Sequence, residues 1–186
     1  MYDKFDFIIN NKSKNCNART GIIKTPHGNI KTPAFIFCAT KCFLRGITAE
    51  QIKKCKTQVI LSNTYHLDVF PGSKNIKEMG GLQKATCWNG PMLTDSGGYQ
   101  IFAMGHGSVS NEIKGKRDGW DPTLLKINEE GAIFKSYRDN SKKKITPEIS
   151  IQIQNNLGAD LILVFDECTP FHVSKEYTEE SMHRSH

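Results

Sequence analysis

Between Asp95 and Tyr99 the chain reads Asp-Ser-Gly-Gly-Tyr, which puts a carboxylate, a hydroxyl, two glycines and an aromatic ring into consecutive positions. Paired glycines let a planar ligand come close to the backbone, because no Cβ intervenes and the N–H groups can be aimed at an acceptor. Tyr99 supplies a flat stacking face, and Asp95 an acceptor or a proton carrier. A further carboxylate, Asp166, ends a continuous apolar run. A carboxylate accepts two hydrogen bonds at once, and the Watson–Crick edge of guanine offers two adjacent donors, its ring N–H and its exocyclic amine. Adenine would present a lone pair there and be rejected. Together these residue types suit recognition of a guanine-like base. Two plainer readings stand beside this one. Gly97-Gly98 could be a tight turn with Asp95 as a helix cap, and Asp166 a buried, capped carboxylate at a strand end.

The elements that must carry these residues follow from local pattern. Thr20 to Phe37 alternates short β-prone pieces around the turn signal Pro26-His27-Gly28-Asn29, which predicts an antiparallel hairpin. Thr48 and Gln51 have capping-box spacing, so a short helix follows, and then a buried strand over Val59 to Leu61 that runs into Ser62, Asn63 and Thr64. The same grammar returns twice. Pro91 to Thr94 is a strand that stops at Asp95, and Leu161 to Phe165 is an apolar strand that stops at Asp166 and Glu167. Before the last of these, Thr146 as cap, Pro147 at the first helical position, a stripe of Ile149, Ile153 and Leu157, and Gly158 as the stop mark a helix. Helices feeding apolar strands predict a parallel α/β sheet with Asn63, Asp95 and Asp166 on one rim, at the carboxyl ends of the strands where such folds keep their chemistry. Within the charged excursion from Gly105 to Lys144, the piece from Gly131 to Thr146 reads as a hairpin, and residues 105–128 as a charged, poorly ordered loop.

Composition sets the outer bounds. A chain of 186 residues with 38% hydrophobic content suits one sizeable domain. The opening, Met1 to Asn10, contains acids and no long apolar run, so neither a secretory signal nor a membrane-spanning helix is expected, and the expected compartment is the cytoplasm. The six cysteines (Cys16, Cys38, Cys42, Cys55, Cys87 and Cys168) form no CxxC pair and are expected to be reduced thiols. Cys38 and Cys42 are close in sequence but have no histidine near them, which favours packed thiols over a metal site. A net charge of +6 leans toward a polyanionic partner such as nucleic acid. The densest basic run, Ser141 to Lys144, is more often a solvated turn than a phosphate clamp.

Taken in order, Ser62 to Leu67, Pro71-Gly72, Leu93 to Gln100, Ile145 to Asp160 and Val164 to Pro170 resemble the motifs of the tRNA-guanine transglycosylases, the queuine or preQ1 tRNA-ribosyltransferases. That resemblance implies a zinc-containing (β/α)8 TIM barrel with an N-terminal antiparallel sheet. It also implies a function, exchange of the wobble guanine of certain tRNAs for a 7-deazaguanine base in queuosine synthesis. Carried onto this sequence, Asp95 matches the catalytic proton acceptor, and Asp95, Ser96, Gly97, Gly98 and Tyr99 match the base-binding segment, with Tyr99 stacking on the base. Asp166 matches the carboxylate that reads the guanine edge, Cys168 a pocket cysteine of bacterial-type members, and Asn63 an asparagine near the substrate ribose. The implied partners are tRNA and guanine or 7-deazaguanine bases, with a homodimer or heterodimer in the full-length protein and no membrane.

The resemblance also implies parts that lie beyond these residues. The nucleophilic aspartate and the zinc ligands, three cysteines and a histidine, belong to the second half of the family pattern, and His183 and His186 make no zinc site by themselves. Residues 1–186 are therefore expected to be the N-terminal half of one catalytic domain, an incomplete barrel that is inactive alone. A noncatalytic base- or tRNA-binding subunit of a heterodimer is the alternative. An unrelated barrel hydrolase using Asp95 and Asp166 as a glycosidase pair is a more distant one.

Overall fold

A computed structural model describes residues 4–106 and 124–186. The chain opens with an antiparallel sheet of β1 (Asp6–Lys12), β2 (Arg19–Thr25) and β3 (Gly28–Thr32) in that order. The hairpin predicted around Pro26-His27 is present, with Thr25 paired to Gly28 and the Thr25 hydroxyl donating to the Gly28 carbonyl at 2.8 Å.

A parallel sheet follows, made of β4 (Phe37–Cys38), β5 (Ile60–Ser62), β6 (Met92–Thr94) and β10 (Leu161–Ile162). Every pairing in it is parallel, and the spatial order β10-β6-β5-β4 is simply chain order read backwards. Each new strand therefore adds on the same side, without the reversal that marks a doubly wound sheet. The helix α1 (Ala49–Lys54) links β4 to β5 and carries the predicted capping box, Thr48 accepting from Gln51 N–H and Gln51 reaching back to Thr48 N–H. Between β5 and β6 lie three short helices, α2 (Thr64–Val69), α3 (Ser73–Glu78) and α4 (Leu82–Thr86). After β6 comes α5 (Gly98–His106). The main core forms where Leu67, Ile76 and Leu82 from these helices meet Ile60 and Met92 of the sheet and Ile153 and Leu157 of α6 (Pro147–Leu157).

The cap and stop of α6 are as predicted, Thr146 accepting from Ile149 N–H and Gly158 ending the helix in the left-handed region at φ +74°. Its buried stripe differs from the expectation. Ile153 and Leu157 are buried, but Ile149 is 40% exposed and lines an open groove with Val69 and Ile145. The buried face is completed by polar residues, Ser150 and Gln154.

Gln154 explains why β10 is shorter than the apolar run that predicted it. Only Leu161 and Ile162 find ladder partners, opposite Leu93 and Thr94, because β6 ends there. The Gln154 side chain then takes over the role of a neighbouring strand, accepting from Leu163 N–H at 3.0 Å and donating to the Leu163 carbonyl at 2.8 Å. From Leu163 to Pro170 the chain has no regular structure. Val164, expected inside a buried strand, is 67% exposed, since β10 is an edge of the sheet among the described residues.

A separate antiparallel sheet holds β7 (Leu124–Asn128), β8 (Gly131–Lys135) and β9 (Lys142–Ile145). The hairpin predicted from Gly131 onward is β8-β9, paired from Ala132 with Ile145 to Lys135 with Lys142. The predicted loop over 105–128 needs correction at both ends. Helix α5 runs to His106, and Leu124–Asn128 is a strand because its backbone pairs with β8 across a tight turn at Glu129-Glu130. Residues 107–123 lie outside the described part. The last element is α7 (Lys175–Ser185), capped by Ser174.

The N-terminal sheet is tied to the parallel one by apolar packing of Ile30 on Val59 and Leu93, by the Gln58 side chain on the Lys31 backbone, and by the carboxylate of Asp160. The Asp160 side chain is fully buried and accepts from Met92 N–H at 2.9 Å, Gln83 Nε2 at 3.1 Å and His27 N–H at 3.3 Å, with His27 Nδ1 at 2.8 Å. It stands one residue before β10 and so fixes that strand against β6. All six cysteines are free thiols. Among the described residues no helix is long and apolar enough to cross a membrane.

Candidate functional site

The site is built where β5 and β6 end. Asn63 follows β5 and caps α2, its Oδ1 accepting from His66 N–H at 2.9 Å. That bond fixes which way the amide faces, so its NH2 group points at Asp95 and donates to Oδ2. The other oxygen, Oδ1, accepts from Thr64 N–H at 2.9 Å, and Gly97 N–H donates to the same carboxylate. Asp95 is therefore not the cap of the helix that follows it. The first N–H of that helix, on Gly98, is taken instead by Ser96, whose Oγ accepts it at 3.0 Å.

Ser96 follows Asp95 in the chain and holds Asp166. It is buried, and its hydroxyl donates to Asp166 Oδ1 at 2.7 Å. Its carbonyl accepts from Ser150 Oγ of α6 at 2.7 Å. Asp166 itself is exposed, which rules out the reading of a buried, capped strand end. The thiol of Cys168 reaches Asp166 Oδ2 at 3.5 Å. Burial and the neighbouring charges of Asp166 and Glu167 push that thiol up to about 11, so it is a neutral donor near pH 7 rather than a nucleophile.

A cleft opens beside this network, with Gly98, Ile101, Phe102, Phe165, Asp166 and Cys168 on its walls. Of the residues singled out in the sequence, Gly98, Asp166 and Cys168 line it. Asn63, Asp95, Ser96 and Gly97 are not among its walls. Tyr99 is 46% exposed, next to Phe102 at a ring-centroid distance of 6.1 Å, and is outside the cleft walls. The room beside Gly98 is taken by the protein itself. A Cβ there would lie 2.2 Å from the Asp166 carbonyl oxygen and 2.7 Å from its Oδ1. Gly97 has a different need, a backbone at φ +86°.

Sequence reasoning missed the residues that hold the named ones. Thr64 and Ser150 are short polar side chains without a pattern of their own. Glu167 was legible only as the neighbour of Asp166, and its partners on α7 were not read at all. Among the described residues no group of three or more His, Cys, Asp and Glu side chains could hold a metal ion. The zinc implied by the resemblance has no ligand set there, and no step below is routed through it.

Burial raises the Asp95 carboxyl above its ordinary value; the Thr64, Asn63 and Gly97 donors pull it back in part, and the charge of Asp166 raises it again. The folded chain therefore holds this proton over a pH window in which the unfolded chain has lost it. Stability from this group is highest on the acid side and falls as pH rises through the window. Asp95→Asn removes that decline. The stability difference between variant and wild type, from urea unfolding between about pH 4 and about pH 8, should move in the variant's favour as pH rises. A difference that stays flat would contradict a raised Asp95.

Fold and site together define an α/β protein that gathers two carboxylates, Asp95 and Asp166, beyond the carboxyl ends of parallel strands. Residues 14–186 match the family model described as Queuine tRNA-ribosyltransferase, and the chain belongs to that family. It is 43% identical over 182 residues to the queuine tRNA-ribosyltransferase of Roseiflexus sp. (strain RS-1), covering 97% of this chain and 46% of that protein. It is 46% identical to the enzyme of the same name from Chlamydia trachomatis serovar L2, and 45% identical to that from Chlamydia caviae, each over 97% of this chain and 48% of the relative. The chain spans about half the length of the curated relatives it matches.

Proposed function

We propose that this chain provides the base-reading half of a tRNA-guanine transglycosylase, in which the guanine at wobble position 34 is exchanged for a 7-deazaguanine, preQ1 or queuine. The observation that carries this reading is an exposed carboxylate, Asp166, held by the Ser96 hydroxyl, with a second and partly buried carboxylate, Asp95, one residue before Ser96 and held by Asn63 and Thr64. The parallel strands that present them are the first arc of the (β/α)8 barrel.

In this reading the target guanosine is flipped out of the anticodon loop, and Asp166 accepts the ring N–H and exocyclic amine of its base. Asp95, easier to protonate than an ordinary carboxylate, gives a proton to the departing guanine as the C1′–N9 bond breaks. A nucleophilic aspartate, which the resemblance puts outside these residues, bonds to C1′. The incoming deazaguanine loses its proton to Asp95 and displaces the aspartate. Two inversions leave the sugar with its original configuration. The protein works in the cytoplasm on tRNA, as a dimer.

Radiolabelled guanine supplied with unmodified tRNA tests the reading. The full-length protein should incorporate label, and the 186-residue chain alone should not. No incorporation by the full-length protein, with guanine still bound, would sink the exchange reaction in favour of a noncatalytic binding subunit. Incorporation by the short chain would overturn the location of the nucleophile.

A further inference from the structure

The segment that carries Asp166 has no strand ladder to hold it, since β10 ends at Ile162. Contacts from two sides replace the ladder. On one side stands the Ser96 hydroxyl described above. On the other, α7 grips the next residue, Glu167. The Tyr177 hydroxyl donates to Glu167 Oε1 at 2.6 Å, Arg184 Nε donates to Oε2 at 2.6 Å, and Ser185 Oγ accepts from the Glu167 N–H at 3.0 Å. Arg184 and Ser185 follow Tyr177 by about two helical turns, which puts the three side chains on one face of α7.

The grip is stiff for a physical reason. The Glu167 and Arg184 side chains are 11% and 18% exposed, and Arg184 also stacks over the Tyr177 ring at 5.5 Å. Its Nη1 reaches Glu129, in the turn between β7 and β8, at 3.3 Å. A planar guanidinium held from several directions has one comfortable position, and pulling either partner away would leave a largely buried charge unpaired. Arg184 lies on the wall of the same cleft as Asp166.

We propose that Arg184, with Tyr177 and Ser185, is a positioning residue that sets the place of Asp166 by holding Glu167, and so sets how strictly the site demands both guanine donors. The proposal rests on Asp166 being the reader of the guanine edge. A carboxylate meets both donors only when its two oxygens lie near the plane of the base at about 2.7–2.9 Å. A displacement of Asp166 by a fraction of an ångström keeps one of these bonds and loses the other. Hypoxanthine has the ring N–H but lacks the exocyclic amine, so the preference for guanine over hypoxanthine measures the second bond.

Dissociation constants for guanine and hypoxanthine, measured by calorimetry on the full-length protein, test this. Wild type should prefer guanine by about 10- to 100-fold, the contribution of one hydrogen bond to a charged group. In Arg184→Ala the guanine affinity should fall about tenfold while the hypoxanthine affinity stays within about twofold, so that the preference largely disappears. Tyr177→Phe, which removes only a hydroxyl, should move the preference the same way by less. A purely structural role would lower the folded, binding-competent fraction for both bases and leave their ratio alone. Arg184→Ala with the wild-type ratio overturns the proposal. If that variant does not fold, Tyr177→Phe and Arg184→Lys decide, and an unchanged ratio in both overturns it. A wild type indifferent to the two bases overturns the Asp166 assignment and this proposal with it, a result distinct from selective wild type beside an equally selective variant.

Discussion

Asp166→Asn should reverse the base preference of the site rather than merely weaken it. Guanine offers two donors side by side, and the carboxylate answers with two acceptors. An asparagine has one acceptor and one donor, so one of its groups must face guanine donor to donor. The loss is the better part of two charge-assisted hydrogen bonds plus a repulsive contact, about 3 kcal/mol, or on the order of 100-fold in Kd. The same asparagine complements 2-aminopurine, whose exocyclic amine donates while its ring nitrogen accepts. Binding of 2-aminopurine should therefore hold steady or improve as guanine binding falls, and fluorescence titration would follow it directly. The fold should be insensitive, within about 0.5 kcal/mol, because Asp166 is exposed and the Ser96 hydroxyl can still donate to the amide oxygen. Guanine bound equally well by variant and wild type would remove Asp166 from the role of reader, whatever else the chain does.

That prediction could be framed from sequence because the donor count of guanine and the acceptor count of a carboxylate are local chemistry. The features legible in advance share this character. The Thr48–Gln51 capping box, the Thr146 cap with Pro147, the Gly158 stop and the Thr25–Gly28 hairpin each depend on residues within a few positions of one another. Asn63 and Asp95 directly follow β5 and β6 as read, whereas Asp166 stands four residues beyond the end of β10 and meets the other two through Ser96 rather than as a strand end.

What escaped depends on distance along the chain. Asp160 meets His27 across a separation of 133 residues, and nothing near either residue announces the contact. Gln154 substitutes for a strand neighbour at Leu163, a role that its polar character hides in a pattern search for apolar stripes. The same blindness placed Ile149 on the buried stripe, where the fold leaves it 40% exposed. Helices α2 to α4 are five or six residues each, too short to display a period. The overestimate of β10 has a simple cause: an apolar run shows that residues can be buried in a sheet, but the length of a strand is set by its partner, and β6 stops at Thr94.

Gly98 tests how tightly the two halves of the site are fitted. The expectation from sequence was that Gly97-Gly98 clears space for a ligand, and at Gly98 that space is occupied by the backbone of Asp166. A methyl group there would sit 2.2 Å from the Asp166 carbonyl oxygen, closer than any real contact, and 2.7 Å from the carboxylate. Backbone cannot swing aside as a lysine tip can. Gly98→Ala must therefore displace the 163–170 segment or the start of α5, and either movement breaks the Ser96–Asp166 bond. The expected cost is about 1–3 kcal/mol of stability from overpacking, and a loss of guanine affinity on the order of 100-fold as the reader moves away from its base. Gly21→Ala separates these effects. Its added methyl would meet the Ile8 carbonyl at 2.5 Å, a comparable clash inside the N-terminal sheet and outside the site. That variant should lose stability yet bind guanine with wild-type affinity in its folded fraction. If Gly98→Ala behaves like Gly21→Ala, the close packing of Asp166 against α5 is scaffold, and base reading does not depend on it.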